Sequence, residues 1–383
     1  MENKRYIEVA NELNLFCLGD SAGVVYWKPK GMHLYNQLKS FIQQQHKEAG
    51  YLEVKSPSLV VSQLFEKSGH ISKYKDNMFF MKNEEQVEYA LRPMSCPNHI
   101  VIYQSEKRSY QQLPLKFFEF GEVFRNESSG SLQLLFRQRQ FCQDDSHVFV
   151  SEEKLIDSLN QFIHLSQKVY KLLGFDEIQY AISLRPEKRF GNDLLWDKAE
   201  NALRLACQNN ELKYLEVPND GAFYGPKLEL QVRDKLGRLW QLGVIQLDYV
   251  LPERFDLHYI DKNNQSVRPI LLHHAVLGSL ERMIGILLES FGVHLPEFLH
   301  PYPSVVLPIS EKSHEYAHLI AQKLQAAVDD SHEPFSKKIA IWKSKGVPNI
   351  YVVGEKEFLH YQQHHEMKAV LNKKEHKEII VLQ

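Results

Sequence analysis

The 383 residues suffice for two or three domains, and 43% hydrophobic with 25% charged side chains is ordinary for a globular chain with a large core. Forty-six basic against 48 acidic residues leave a net charge of −2, so bulk charge announces no nucleic-acid partner, though a local basic patch stays compatible with one. No run of about 18 apolar residues occurs, and the N-terminal stretch MENKRYIEVANELNLF carries charge from its second residue, so neither a membrane span nor a secretory leader is expected. The cysteines Cys17, Cys96, Cys142 and Cys207 are scattered, which suits reduced thiols of a cytoplasmic chain and leaves each free to ligate a metal.

In chain order, MHLYNQLKSFIQQQHKEAG (32–50) spaces Leu34, Leu38, Phe41 and Ile42 as a helix that stops at Gly50. YLEVKSPSLV alternates like a strand, and Pro57 within it suits an edge or an interface. KFFEFGEVFR (116–125) and residues 135–149 read as two strands of an antiparallel hairpin joined by the polar loop NESSGSLQ. Residues 152–173 read as a helix with Leu155, Leu159, Phe162 and Leu165 on one stripe. KLELQVRD and LWQLGVIQLDYVL are strands around the turn DKLG, and LGSLERMIGILLESF is a helix with Arg282 in an apolar pattern. Three prolines in HLPEFLHPYPS (294–304) mark a domain boundary, which divides the chain into residues 1–298 and 299–383. Beyond it SVVLPIS, a helix at 311–327, VPNIYVVG and EIIVLQ alternate strand and helix, which predicts a small α/β domain.

The second half of the hairpin bears the chemistry. On a strand, Arg137, Arg139, Phe141, Gln143, Asp145 and His147 share one face. One aromatic and five polar groups do not make a core face. Strand arginines can clamp phosphate, with Arg125 on the partner strand and Phe141 placed to stack on a base. Solvated arginines on an exposed sheet would give the same spacing, which leaves both readings open. Cys96, His147 and His273 could together hold zinc with one open position, but no two of them have zinc-finger spacing.

GYLEVKSP, FRNE followed by RQRQF, and GSLERMIGIL resemble, in order, the three signature motifs of class II aminoacyl-tRNA synthetases. RPMSCPNH, QDDSHVF, SLRPEKRFGNDLLWDKAE, GAFYGPKLEL and QLGVIQLDY narrow the resemblance to the threonyl-tRNA synthetase family, over residues 1 to about 355. It implies an α+β fold: a class II antiparallel-sheet catalytic domain flanked by helices, then a small α/β anticodon-binding-like domain. It implies ATP-dependent activation of L-threonine and transfer to tRNA(Thr), by a homodimer joined around the segment with Pro57. It implies a catalytic Zn2+ on Cys96, His147 and His273, and Mg2+ with the ATP. By the same resemblance Arg125 takes the α-phosphate, Glu127 the adenine amino group and Phe141 the adenine ring. Arg137, Arg282 and Lys227 stand on the phosphate side. Asp145 accepts from the threonine hydroxyl, and Met94, Gln143, Tyr224, Gln241 and Gln246 line the amino-acid pocket.

The chain also departs from that pattern. The N-terminal and editing domains of the family have no counterpart, so serine misactivation without hydrolysis of seryl-tRNA in cis is expected. Val244 stands where the family usually has threonine, and Asn98 where it has glycine. The Asp-x-Arg-x-Glu motif reads Asp329, Asp330, Ser331, His332, Glu333, without its arginine, and MKAVLNKK (367–374) carries none either. Anticodon reading is thereby in doubt, since arginines are natural readers of bases and phosphates. His360, His364, His365 and His376 read as solvated residues. Two alternatives stay open: a paralogue that activates an amino acid for a carrier protein or small molecule, and a non-catalytic regulatory binder.

Overall fold

The alternation of residues 115–150 becomes two neighbouring strands of an eight-stranded sheet in the computed structural model, which describes residues 5–372 and 377–382. The chain divides into two units: Leu18–Val25 with Lys39–Gly285, and Met1–Cys17 with Tyr26–Leu38 and Ile286–Gln383. The elements used below, in chain order, are α1 (Pro29–Glu48), β1 (Leu52–Glu53), α2 (Cys96–Gln104), β2 (Leu115–Phe124), β3 (Gln140–Val150), α3 (Leu155–Leu172), β4 (Gln179–Ser183), α4 (Asp193–Asn209), β5 (Tyr214–Val217), β6 (Lys227–Arg233), β7 (Leu239–Asp248), β8 (Ile270–Ser279) and α5 (Leu280–Phe291).

The large sheet has the order β5-β4-β6-β7-β8-β3-β2-β1. Only its end pairs, β5 with β4 and β1 with β2, are parallel. The rest is antiparallel, as local hairpins and helix-bearing connections permit. α3 buries Leu155, Leu159, Phe162, Ile163 and Val169, each at most 2% exposed, and such a side chain contributes about 1.5–3 kcal/mol. Tyr170 on that helix donates its hydroxyl to the carbonyl of Val276 (2.9 Å) and accepts from the N–H of Gly243 (2.8 Å), which fastens α3 to β8 and β7. α1 ends as its residues dictate: Leu34, Leu38 and Ile42 are buried, and Gly50 takes φ +79°.

The segment around Pro57 is two strands, not one. Leu52–Glu53 joins the large sheet beside Phe117 and Phe118, while Leu59–Val61 pairs with Glu88–Leu91 in a three-stranded sheet. The hairpin is also shorter on one side than expected. Leu134–Phe136 is a turn of 3₁₀ helix and β3 starts only at Gln140, so Arg137 and Arg139 precede the strand. Residues 249–251 leave β7 for a short helix, and Leu277–Ser279 end β8 instead of starting α5.

One irregularity fixes the rest of the sheet. Ala275 pairs with Asp145 and Ser279 with Gln143, so residues 276–278 of β8 face Asp144 alone. Their N–H groups would be orphaned in the core. The carboxylate of Asp144 accepts from Val276 (2.8 Å), Leu277 (3.0 and 3.1 Å) and Gly278 (3.1 Å). Gly278 sits at φ +80°, where a Cβ would also stand 2.6 Å from the Leu242 carbonyl oxygen.

The second unit holds a five-stranded sheet of β9 (Ser304–Pro308), β10 (Ala327–Val328), β11 (Asn349–Val353), β12 (Met367–Asn372) and β13 (Lys377–Leu382), in the order β10-β9-β11-β12-β13. β10 is a two-residue strand, parallel to β9. Helices α6 (His314–Leu324), α7 (Phe335–Ser344) and α8 (Glu355–His364) cover it, with Tyr316, Ile320 and Val306 in one core cluster and Trp342, Val305 and Leu307 in another. His360 and His364 lie on α8 and His365 follows it; His376 is outside the described residues. No helix among the described residues is long and apolar enough to cross a membrane.

Replacing Asp144 by alanine should strip the acceptor from three buried N–H groups and lower stability by about 3 kcal/mol or more. Thermal unfolding checks this, and an unchanged transition midpoint would contradict it.

Candidate active site

β3 presents its odd residues to a hollow and its even ones to the core. Phe141, Gln143 and Asp145 are half-buried, while Cys142, Asp144 and Ser146 are buried. The hollow above them, about 530 Å³, gathers most of the expected site residues: Met94, Arg125, Glu127, Arg137, Phe141, Gln143, Tyr224, Lys227, Gln241, Gln246 and Arg282. A smaller pocket of about 90 Å³ adjoins it, sharing Met94, Arg125, Gln143, Tyr224 and Gln246 and adding Cys96, Asp145, His147 and His273.

Positive charge converges on the outer hollow. Arg282 donates from Nε to the Phe136 carbonyl (3.0 Å) and from Nη1 to the Gln241 carbonyl (3.1 Å). Burial and then the neighbouring Arg125 and Arg137 lower its pKa, only partly opposed by Glu127. Such a cluster favours an anion. The guanidinium of Arg125 stands 5.2 Å from the centre of the Phe141 ring. Arg137 bonds to Glu127 Oε2 through Nε (3.1 Å) and Nη2 (2.9 Å). Lys227 is held differently, with Nζ 2.7 Å from Glu229 and 3.1 Å from Asp220. Burial lowers its pKa, but these carboxylates outweigh burial and leave it raised. Arg139, expected on the same face, instead donates to the Glu127 and Ala22 carbonyls and to Ser129, because it lies before the strand begins.

The inner pocket is built by cross-strand pairing. Gln246 on β7 stands opposite His273 on β8, and His273 stands opposite His147 on β3. Cys96 enters from the start of α2. The tight turn that carries Tyr224 needs Gly225, where a Cβ would lie 1.9 Å from the Leu247 carbonyl oxygen. Tyr224 bonds to Gln246, and its ring centre lies 4.9 Å from that of His273. Val244 and Ala275, also opposite each other, supply apolar wall.

Zinc fits these residues. One donor atom each of Cys96, His147 and His273 falls within 4.8 Å of the others, and all three residues are buried. A thiolate and two imidazoles are the donor set of catalytic zinc, with a position left open. Burial, then the charges of His99, His273 and His274, keep His147 neutral, as ligation requires. Burial, then Asp145 and Asp248, raise the Cys96 thiol; a dication would reverse that. His273 Nε2 lies 2.8 Å from Asp248 Oδ2, the carboxylate support usual behind a metal-bound imidazole.

Several residues here had no sequence signal. His70 is buried with Nε2 3.3 Å from Met94 Sδ and 3.8 Å from Cys96 Sγ. Burial, then His273, Arg125 and Arg254, depress it to about 3. Tyr74, Asp220 and Ser279 also line the hollow. Each stands alone in a loop or at an element end, so periodicity does not mark it. His99 had a signal: it closes a Cys-x-x-His spacing with Cys96.

The description "tRNA synthetase class II core domain (G, H, P, S and T)" matches residues 79–291, and "Anticodon binding domain" matches residues 304–371. Threonine–tRNA ligases of Burkholderia cenocepacia and Leptothrix cholodnii are each 43% identical over 362 residues, or 93% of this chain and 57% of theirs. The chain thus spans little more than half the length of these curated relatives. A crystal structure described as the RNA binding domain of threonyl-tRNA synthetase from Cryptosporidium parvum superposes with a TM-score of 0.93 at 35% identity, over 99% of this chain and 96% of that one. The chain belongs to the threonyl-tRNA synthetase family of class II aminoacyl-tRNA synthetases.

Proposed function

We propose that the chain is a threonine–tRNA ligase, which joins L-threonine to ATP as threonyl-adenylate and then passes the threonyl group to tRNA(Thr). The observation that carries this reading is the pair of adjoining cavities, cationic in the outer one and lined by Cys96, His147 and His273 in the inner one. The amino-acid carboxylate attacks the α-phosphorus and pyrophosphate leaves, so the protein must orient two reactants and hold spreading negative charge. No protein nucleophile is needed. Arg125 would hold the α-phosphate, and Arg137, Arg282 and Lys227 the pyrophosphate side, with Mg2+ accompanying the ATP. Phe141 would stack on adenine and Glu127 accept from its amino group. In the inner pocket Asp145 would accept from the threonine hydroxyl, while Met94, Gln143, Tyr224 and Gln246, with Gln241 from the outer hollow, orient the amino acid. Zinc on Cys96, His147 and His273, when bound, supplies a coordination position that a hydroxyl fills and the isosteric methyl of valine does not. Val244 and Ala275 would touch the substrate methyl. We further infer a catalytic domain over residues 1–298, an anticodon-binding-like domain over 299–383, a homodimer around Pro57 and a cytoplasmic location.

A second acceptor is favoured by one observation. Asp329 begins the motif that lacks arginine, and its carboxylate is used internally, by the N–H (3.0 Å) and Oγ (2.6 Å) of Ser331 and by Nε1 of Trp342 (2.7 Å). This supports a reading in which threonine is activated for a carrier protein or small molecule.

Incubating the purified chain with threonine, ATP, Mg2+, Zn2+ and total tRNA should yield threonyl-tRNA. Adenylate formation without charging would reject tRNA as acceptor and leave the second reading. Arg282→Ala should lower kcat/KM for threonine-dependent pyrophosphate exchange by roughly 10²–10³; a loss below about tenfold would remove Arg282 from the phosphate site. Serine keeps the hydroxyl and lacks one methyl, so it should be activated roughly 10–200-fold less efficiently than threonine. A chelator should abolish threonine activation and added zinc restore it. Activity that survives complete metal removal would contradict the zinc reading.

A further inference from the structure

From the two imidazoles of the inner pocket a line of buried groups runs into the core, and its outer members have no part in the reaction scheme. Glu119 Oε1 faces His99 Nε2 at 3.3 Å. His99 Nδ1 meets His147 Nδ1 at 2.8 Å, and His147 Nε2 meets His273 Nδ1 at 3.1 Å. His273 Nε2 then meets Asp248 at 2.8 Å. The line has a carboxylate at each end and three imidazoles between. All five residues are at most 6% exposed.

Counting protons along this line gives an asymmetry. Neutral imidazole carries one N–H and one lone pair, and a carboxylate accepts. Four gaps each need one proton, and three neutral imidazoles supply three. One gap must go without, with two lone pairs facing each other in the core. The donor atoms of His147 and His273 also come within 4.8 Å of a donor atom of Cys96. A cation at that gap satisfies both lone pairs and leaves one proton for each remaining gap. The tautomers then follow: His273 donates from Nε2 to Asp248, His147 donates from Nδ1 to His99, and His99 carries its proton on Nε2, the atom 3.3 Å from Glu119.

Glu119 is held firmly enough to anchor this order. Arg92 Nη1 donates to its Oε1 at 2.6 Å, and Ser56 donates from its hydroxyl (2.8 Å) and its N–H (2.9 Å). Burial alone would raise its carboxyl, but His99, Arg92 and Ser56 draw it down to about 2. Asn98, the residue before His99, donates to Ser56 Oγ (3.2 Å) and to the Pro57 carbonyl (2.7 Å), which ties the first turn of α2 to the same segment. His273 therefore has its carboxylate directly behind it at 2.8 Å, whereas His147 Nδ1 stands 3.9 Å from Asp145 Oδ1, beyond hydrogen-bond reach, and is linked by hydrogen bonding to a carboxylate only by way of His99 at 2.8 Å.

We propose that His99 is a positioning residue for the metal, accepting the Nδ1–H of His147 so that the Nε2 lone pair of that ligand is aimed at the ion and backed by the charge of Glu119. The proposal rests on the zinc reading of the preceding subsection and extends it to a residue that touches neither metal nor substrate.

The test is zinc affinity of the full chain, read by competition with a chromophoric chelator, for the unmutated protein and two variants. His99→Leu keeps bulk and removes the acceptor. It should weaken zinc binding by roughly 10–100-fold. His99→Asn places a carbonyl oxygen near the position of Nδ1 and should bind zinc nearly as tightly as the unmutated protein. A role in packing alone would lower the thermal midpoint of the metal-free variants and leave zinc affinity alike in both. Should His99→Leu not fold, His99→Gln replaces it, because its amide reaches the Nε2 position and not Nδ1; it should then bind zinc more weakly than His99→Asn. Equal affinities across the variants, or the reverse order, overturn the proposal while a zinc-binding unmutated protein keeps the metal reading intact. An unmutated protein that binds no zinc overturns both.

Discussion

The pairing of β3 with β8 is the constraint on which the rest of the site depends. His147 and His273 are distant in sequence and face each other only because the two strands meet in one register. Side chains alternate with a period of two, so a slip of one residue would send His147 and Asp145 into the core and bring Asp144 and Ser146 to the pocket. Asp144 resists that slip. Its carboxylate is committed to the three N–H groups of the bulge at residues 276–278, and a slip that carried Asp144 to the pocket face would break all of these bonds. The same bulge sets where β8 ends and α5 begins, and so where Arg282 enters the hollow from the first turn of that helix. One buried carboxylate thus serves both the imidazole pair and the arginine.

The two cavities solve opposite electrostatic problems with the same scaffold. In the outer hollow, Arg125, Arg137 and Arg282 stand close enough for burial and mutual repulsion to depress Arg282, a cost that a polyanion would relieve. In the inner pocket, burial keeps the groups neutral: His147 is depressed and Cys96 raised. Neutral imidazoles present lone pairs, and a cation can use them. Gln143 and Arg125 line both cavities, at the junction where a reacting carboxylate would meet a phosphate. Differential stabilisation of charge that appears only during reaction is the economical way to accelerate such a displacement.

Much of this was legible in the sequence, for reasons tied to particular residues. The odd-numbered run from Phe141 to His147 is written in a period of two, and the structure keeps it on one face of β3. Arg137 and Arg139 looked the same in that period, yet the 3₁₀ turn at Leu134–Phe136 delays the strand, and Arg139 turns to carbonyls of the loop. The sequence places Leu277 at the start of α5 because it is in helical phase with Leu280 and Ile284, while the bulge that ends β8 depends on Asp144 from another strand. That is a tertiary effect with no local signature. The split around Pro57 does have a local mark: one alternating stretch serves two sheets because the proline breaks its ladder. His70 and Asp248 have no such mark, because a single buried polar residue carries no period and only the packed core reveals its partners, whereas His99 is marked by its spacing from Cys96.

The most direct measurement is anomalous diffraction at the zinc edge from crystals of the chain grown with threonine and a non-hydrolysable ATP analogue. A single strong peak bonded to Cys96, His147 and His273, with nucleotide density running along Arg125, Phe141 and Arg282, is the predicted result. No anomalous peak at those residues, or nucleotide bound elsewhere, would contradict the account that β3 and β8 are paired to build a joint metal and nucleotide site.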